Sequence, residues 1–171
     1  MPDITYIAQP PRRYTFSTSP IANWVREHTQ HGNVLNLFAG KTRLYDYIYE
    51  IKEIRVDINE SMKPDYLMDA NVYIDFAIKN GLKYNTIILD PPYTYRKSME
   101  KYDGKIVSNF QRIKEKITDI ILPAGNVISC GYHSVVMGKS RGFEVKDILL
   151  ISHGGAHHDT IITNEVLINV Y

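Results

Sequence analysis

Asp90-Pro91-Pro92-Tyr93 carries the densest chemistry in the chain. It follows the unbroken apolar run Thr86-Ile87-Ile88-Leu89, which reads as a strand covered on both faces. Each proline fixes its own φ and removes a backbone donor, and the residue before a proline is pushed to extended backbone. Asp90 and Pro91 are therefore held at the strand tip with a carboxylate and a carbonyl available as acceptors. Tyr93 adds an aromatic face. Two acceptors beside a ring suit a planar group with an exocyclic NH2: the acceptors take its N–H bonds and the ring stacks on its plane. A Pro-Pro strand stop with an incidental tyrosine is the plainer reading of the same four residues.

Other residues of this kind stand upstream. Phe38-Ala39-Gly40 follows the apolar stretch Val34-Leu35-Asn36-Leu37. A glycine at such a strand-to-helix turn lets backbone approach a ligand closely, and the helix start favours a carboxylate or phosphate. It can equally be a plain turn glycine. Asp57 ends the next strand, about 20 residues on, where an acid can accept both hydroxyls of a ribose or can simply cap a helix. Asp69 follows Tyr66-Leu67-Met68. If these segments are parallel strands, ligands belong at their carboxyl ends, so residues 38–41, Asp57, Asp69 and Asp90 share one rim.

With these residues in view, the sequence resembles the S-adenosylmethionine-dependent amino-methyltransferases, which methylate adenine N6, cytosine N4 or related exocyclic amines. Asp90-Pro91-Pro92-Tyr93 is similar to their catalytic signature. Asn33 to Gly40 resembles their first strand and cofactor turn, about fifty residues upstream of the signature. Thr18 lies in Ser17-Thr18-Ser19-Pro20, which resembles the Thr-Pro element and helix preceding that strand. The chain departs from the usual Gly-x-Gly by carrying Gly40-Lys41-Thr42. The resemblance implies S-adenosylmethionine as cofactor, bound by Thr18, Phe38, Ala39, Gly40, Asp57, Asp69 and Asp90, with Ile58 and Ala70 beside the adenine. It implies a target amine held by Asp90, Pro91, Pro92 and Tyr93. It also implies that the loop of His153, His157, His158 and Asp159 lies beside the target base. As a metal site that loop has the wrong spacing and no cysteine, so no metal is expected.

The target expected from the resemblance is a nucleic-acid base, adenine N6 in DNA first. An RNA base (guanine N2 or adenine N6) is the alternative, and an inactive cofactor-binding or scaffold subunit is a third reading. Tyr95, Arg96 and Lys97, with Lys101, Tyr102 and Lys105, interleave aromatics with cations as a splayed nucleotide strand requires, or form a solvated loop. Within these 171 residues the separate recognition domain that such DNA enzymes usually carry is not expected. A homodimer or a partner specificity subunit is the expected remedy.

Composition frames these readings. The 171 residues, with net charge +1 and a single cysteine, Cys130, indicate one domain without an internal disulfide. No apolar run approaches the roughly 20 residues that span a bilayer, so no membrane partner and a cytoplasmic location are expected. Any nucleic-acid contact must come from a local patch, because the net charge is far from strongly basic.

The elements that must position these residues alternate. Residues 1–16 read as an irregular arm within a single methyltransferase domain spanning 1–171. A helix begins at Pro20 with Ile21, Trp24 and Val25 inward and ends at His31-Gly32. Strands are expected at 34–38, 54–58, 66–68, 86–89 and 127–130, and helices at 42–49, 72–80 and around 134–139. Ile106, Phe110, Ile113 and Ile117 keep helical spacing, and that helix is expected to run to Leu122 and stop at Pro123. Residues 145–151 and 160–170 read as an antiparallel pair. The fold class is α/β: a Rossmann-like class I methyltransferase sheet, mostly parallel, with a C-terminal antiparallel hairpin.

Overall fold

The computed structural model describes residues 1–11, 16, 18–91, 110–155 and 157–168. Eight strands form one sheet: β1 Asp3–Ala8, β2 Gly32–Leu37, β3 Ile51–Asp57, β4 Tyr66–Leu67, β5 Tyr84–Leu89, β6 Ile121–Gly131, β7 Phe143–Ser152 and β8 Thr160–Leu167. Their order is β1-β7-β8-β6-β5-β2-β3-β4. Neighbours pair in parallel except that β8 runs against both β6 and β7. The expected α/β sheet with a closing antiparallel pair is therefore the observed one. Chain order reverses between β2 and β5, and that switch point is where the carboxyl ends of the strands open a crevice.

Among the described residues three α-helices cover the sheet: α1 Ser19–His28, α2 Ala70–Lys79 and α3 Phe110–Ile117. Strand alternation sends successive side chains to opposite faces. Val34, Ile88 and Ile128 meet Ile21, Trp24 and Val25 of α1 on one face. Leu35, Ile87 and Val127 meet Tyr73, Ile74 and Ala77 of α2 and Ile113 and Ile117 of α3 on the other. The central strands are buried on both sides, which is why they read as continuous apolar runs.

Four expectations are corrected. Within the 1–16 arm, residues 3–8 are β1, paired in parallel with β7 from Asp3 opposite Asp147 to Ala8 opposite Ser152. As an edge strand it is mostly exposed, so it lacks the apolar signature of its neighbours. The helix expected over 42–49 is only a 3-10 turn at Leu44–Asp46. The helix expected to reach Leu122 ends at Ile117, because Ile121 already pairs with Tyr84 as the start of β6. Pro123 falls in the irregular stretch before the ladder resumes at Asn126 opposite Thr86, and Gly125 has no room for a side chain there, since a Cβ would lie 2.8 Å from the Leu122 carbonyl oxygen. The helix expected around 134–139 is a 3-10 turn at Lys139–Arg141. Glu165, fully buried on β8, accepts from the amides of Val136, Met137 and Gly138 at 2.7–2.9 Å and fixes that segment without a helix.

Candidate active site

The carboxyl ends of β2, β3 and β4 enclose a cleft lined by Phe38, Val56, Asp57, Ile58, Met68, Asp69 and Ala70. Five of these seven are residues expected at the cofactor: Phe38, Asp57, Ile58, Asp69 and Ala70. Its walls are apolar and a carboxylate sits on each of two neighbouring strand ends. Asp90 follows β5, half-buried. Leu37 pairs with Leu89, so Phe38 and Asp90 leave the sheet side by side.

The turn after β2 is strained. Phe38 has φ 71°, uncommon for a bulky residue, and Gly40 has φ 52°. The amides of Phe38 and Ala39 both donate to the Val56 carbonyl, at 3.1 and 3.0 Å. Thr42 N donates to the Ala39 carbonyl at 3.0 Å and closes the turn. Ala39 and Gly40 lie beside the cleft wall rather than in it. No α-helix follows, so the helix-start argument for anion binding at Gly40 does not apply here.

What holds this turn is one face of β3. Residues 53, 55 and 57 share that face. The Glu53 carboxylate accepts from Leu44 N at 2.8 Å, Tyr45 N at 3.2 Å and the Asn36 side chain at 2.8 Å. The Arg55 guanidinium donates to the carbonyls of Thr42 and Gly40 at 2.8 and 2.7 Å. Asp57 accepts from Gly40 N at 2.8 Å through Oδ2 and from Asn59 N at 2.8 Å through Oδ1. Each Asp57 oxygen keeps a second lone pair for a hydroxyl donor. Burial pushes the Glu53 carboxyl above its ordinary value, against the opposing pull of its three donors and of Arg55. Glu53 and Arg55 were not among the expected site residues. The signal was present, since three charges at alternate positions of a strand cannot face an apolar layer.

Asp69 does two things at once. It is the N-cap of α2, accepting from Asn71 N at 2.8 Å, and it lines the cleft. Capping the helix and lining the cleft are compatible positions for this one carboxylate.

Thr18 and His153 sit apart from the cleft. Thr18 is the N-cap of α1 by position, yet its hydroxyl donates to the Gln9 side chain at 2.9 Å instead of capping the helix. The His153 ring contacts the Gln9 carbonyl through Nδ1 at 3.0 Å and the Thr160 hydroxyl through Nε2 at 2.9 Å. Gln9, a third residue the sequence did not single out, thus joins the two. Pro91 is buried just after Asp90. Pro92, Tyr93, Tyr95, Arg96 and Lys97 lie outside the described residues, as do Lys101, Tyr102 and Lys105. Among the described residues no cluster of three or more His, Cys, Asp or Glu side chains is arranged to hold a metal ion, and no helix is long and apolar enough to cross a membrane.

No protein-family profile matches the chain, and no curated protein sequence matches it. Solved structures do. The precorrin-6y C5,15-methyltransferase of Geobacter metallireducens superposes with a TM-score of 0.60 at 5% identity, over 92% of this chain and 93% of that one. TrmN of Thermus thermophilus gives 0.56 at 11% identity, over 86% of this chain and 48% of its own. The N-methyltransferase NodS of Bradyrhizobium japonicum, in complex with S-adenosyl-L-homocysteine, gives 0.52 at 7% identity over 84% and 81%. The fold is the Rossmann-like methyltransferase fold. Within it, the cleft at the ends of β2 to β4 and the Asp90 turn occupy the rim at the switch point. Against TrmN, the chain spans about half of the other protein's length.

The cleft residues fit S-adenosylmethionine. Ile58, Met68 and Ala70 offer apolar walls to a purine, Asp69 a carboxylate beside it, and Asp57 a buried carboxylate for ribose hydroxyls. When bound, the cofactor supplies an electrophilic sulfonium methyl. The chain's own part would then be to hold the nucleoside end in the cleft and to present acceptors at the end of β5.

Proposed function

We propose that this chain is an S-adenosylmethionine-dependent methyltransferase acting on an exocyclic amine of a nucleic-acid base, adenine N6 in DNA first. The observation that supports it most is the convergence of Phe38, Asp57, Asp69 and the Asp90-Pro91 turn on one rim of a methyltransferase-fold sheet. Asp90 and the Pro91 carbonyl orient the amine by accepting its N–H bonds and aim the nitrogen lone pair at the methyl carbon. As the N–C bond forms and the S–C bond breaks, positive charge grows on nitrogen. A fixed carboxylate stabilises that charge without reorganising. The nitrogen would then lose its proton to water, and the demethylated cofactor, S-adenosylhomocysteine, would leave. No covalent enzyme intermediate is needed. A base inside a duplex must first leave the stack. Tyr93 would stack on the base, and Tyr95, Arg96, Lys97 and His153 would contact the strand that carries it. A homodimer or a specificity partner would supply sequence recognition, in the cytoplasm.

The test offers the protein labelled S-adenosylmethionine with DNA, RNA and protein pools, followed by nucleoside analysis. Label in N6-methyl-2′-deoxyadenosine of the DNA pool is the expected result. Label in RNA alone, as a guanine-N2 or adenine-N6 product, moves the target to RNA. Cofactor binding with no transfer to any pool marks an inactive scaffold subunit.

A further inference from the structure

We infer that Arg55 is a positioning residue that sets both jaws of the cofactor cleft, an inference that rests on the methyltransferase reading above. Arg55 is 2% exposed, in the middle of β3. Its guanidinium reaches four carbonyls. On one side are Gly40 at 2.7 Å and Thr42 at 2.8 Å, in the turn after β2. On the other are Lys63 at 2.7 Å and Met62 at 3.1 Å, in the turn that leads to β4. The backbone of Arg55 also holds that second turn. Its N–H donates to the Asp65 carboxylate at 2.8 Å, and its carbonyl accepts from Asp65 N at 2.9 Å.

The first turn carries Phe38 into the cleft and presents Gly40 N to Asp57. The second delivers Met68 and Asp69 to the opposite wall. Lys63 in that turn has φ 50°, a left-handed conformation that needs outside support. Arg55 therefore ties the two turns together without itself lining the cleft. Burying a cation is unfavourable unless its hydrogen bonds are satisfied, and an apolar side chain would fill the same space at lower cost. Bonds to carbonyls on two separate segments explain the choice. The fork geometry matters as well, because a lysine ammonium is a single point with three donors and cannot reach both turns along fixed directions.

The experiment compares the full chain with Arg55→Lys and Arg55→Met by calorimetric titration with S-adenosylhomocysteine, hydrogen exchange and thermal melting. Arg55→Lys is expected to melt cooperatively yet to bind S-adenosylhomocysteine on the order of tenfold more weakly, from the loss of charge-assisted bonds to one of the two turns. Exchange should quicken at residues 40–45 and 61–65 and not in α2 or β6. In the methyl-transfer assay the KM for S-adenosylmethionine should rise while kcat at saturating cofactor stays near wild type. Arg55→Met should be weaker still, and Arg55→Lys carries the test if Arg55→Met does not fold. A wild-type affinity in Arg55→Lys, with only its melting point lowered, would reduce Arg55 to a fold-holding residue and overturn the inference while leaving the methyltransferase reading intact. A wild-type chain that binds no S-adenosylhomocysteine overturns that reading itself, and the positioning role with it.

Discussion

The connection from β4 to β5 runs through α2, which buries Tyr73, Ile74 and Ala77 against the sheet. The connection from β2 to β3 has no α-helix, and its backbone is gripped by Glu53, Arg55 and Asp57. Both leave the same rim, and each supplies one wall of the same cleft. The α2 wall is set by packing, which is non-directional and tolerates small shifts. The β2–β3 wall is set by directed hydrogen bonds, which fix individual peptide groups. A turn that must hold Phe38 and Gly40 in left-handed backbone beside a ligand gains from the second kind of support. The α2 wall is a packed platform that begins at Asp69, and its directed support is confined to the turn before β4, where Arg55 bonds the Met62 and Lys63 carbonyls.

The comparison breaks most visibly through the packed wall. Ile74 is fully buried between α2 and the sheet. Ile74→Ala should lower the unfolding free energy by about 2–5 kcal/mol, read from denaturant titration, while leaving the affinity of the folded protein for S-adenosylhomocysteine close to wild type. A large loss of affinity in a variant that still folds would mean that packing, too, sets the site.

Asp57→Ala acts on the other wall and should show the reverse pattern. It removes the acceptor of Gly40 N and the charge offered to ribose hydroxyls. Affinity measured by calorimetry should fall by about 1–3 kcal/mol. Unchanged affinity would detach the β3 face from the cofactor.

The subtlest difference lies in pH. Burial raises the Glu53 carboxyl above its ordinary 4.5. Folding therefore favours its protonated form. This contribution is full below the unfolded value and is lost as pH rises through the folded one. As pH rises above the ordinary value of 4.5, Glu53→Gln should remove a small falling component from the melting temperature relative to wild type. Parallel pH profiles for the two proteins would show that the donors from Asn36, Leu44 and Tyr45 fully offset burial.

Much of the sheet was legible because β2, β5 and the second half of β6 are covered on both faces, leaving runs such as Thr86-Ile87-Ile88-Leu89. The α1 and α2 stripes were legible from helical spacing. β1 was not, since an edge strand that leans on β7 with Ile4 and Tyr6 exposed leaves no apolar pattern. The absence of a helix at 42–49 was hidden for a different reason. Leu44 and Ile48 are buried one turn apart, as in a helix, but the amides of Leu44 and Tyr45 go to Glu53. Five of the seven cleft-lining residues were legible from strand-end positions and motif. The alternating charges of β3 marked Arg55 as unusual but not its partners, and nothing marked Gln9, because both sets of contacts depend on segments brought together only by the sheet.

The measurement that tests the account most directly sets Asp90→Ala beside wild type in two assays at once, S-adenosylhomocysteine titration and labelled methyl transfer to DNA. Asp90 lies past the end of β5, outside the cleft lining, and its proposed work is on the amine. The account predicts nearly unchanged cofactor affinity with methyl transfer lowered on the order of a hundredfold or more. Methyl transfer by Asp90→Ala at the wild-type rate would contradict it.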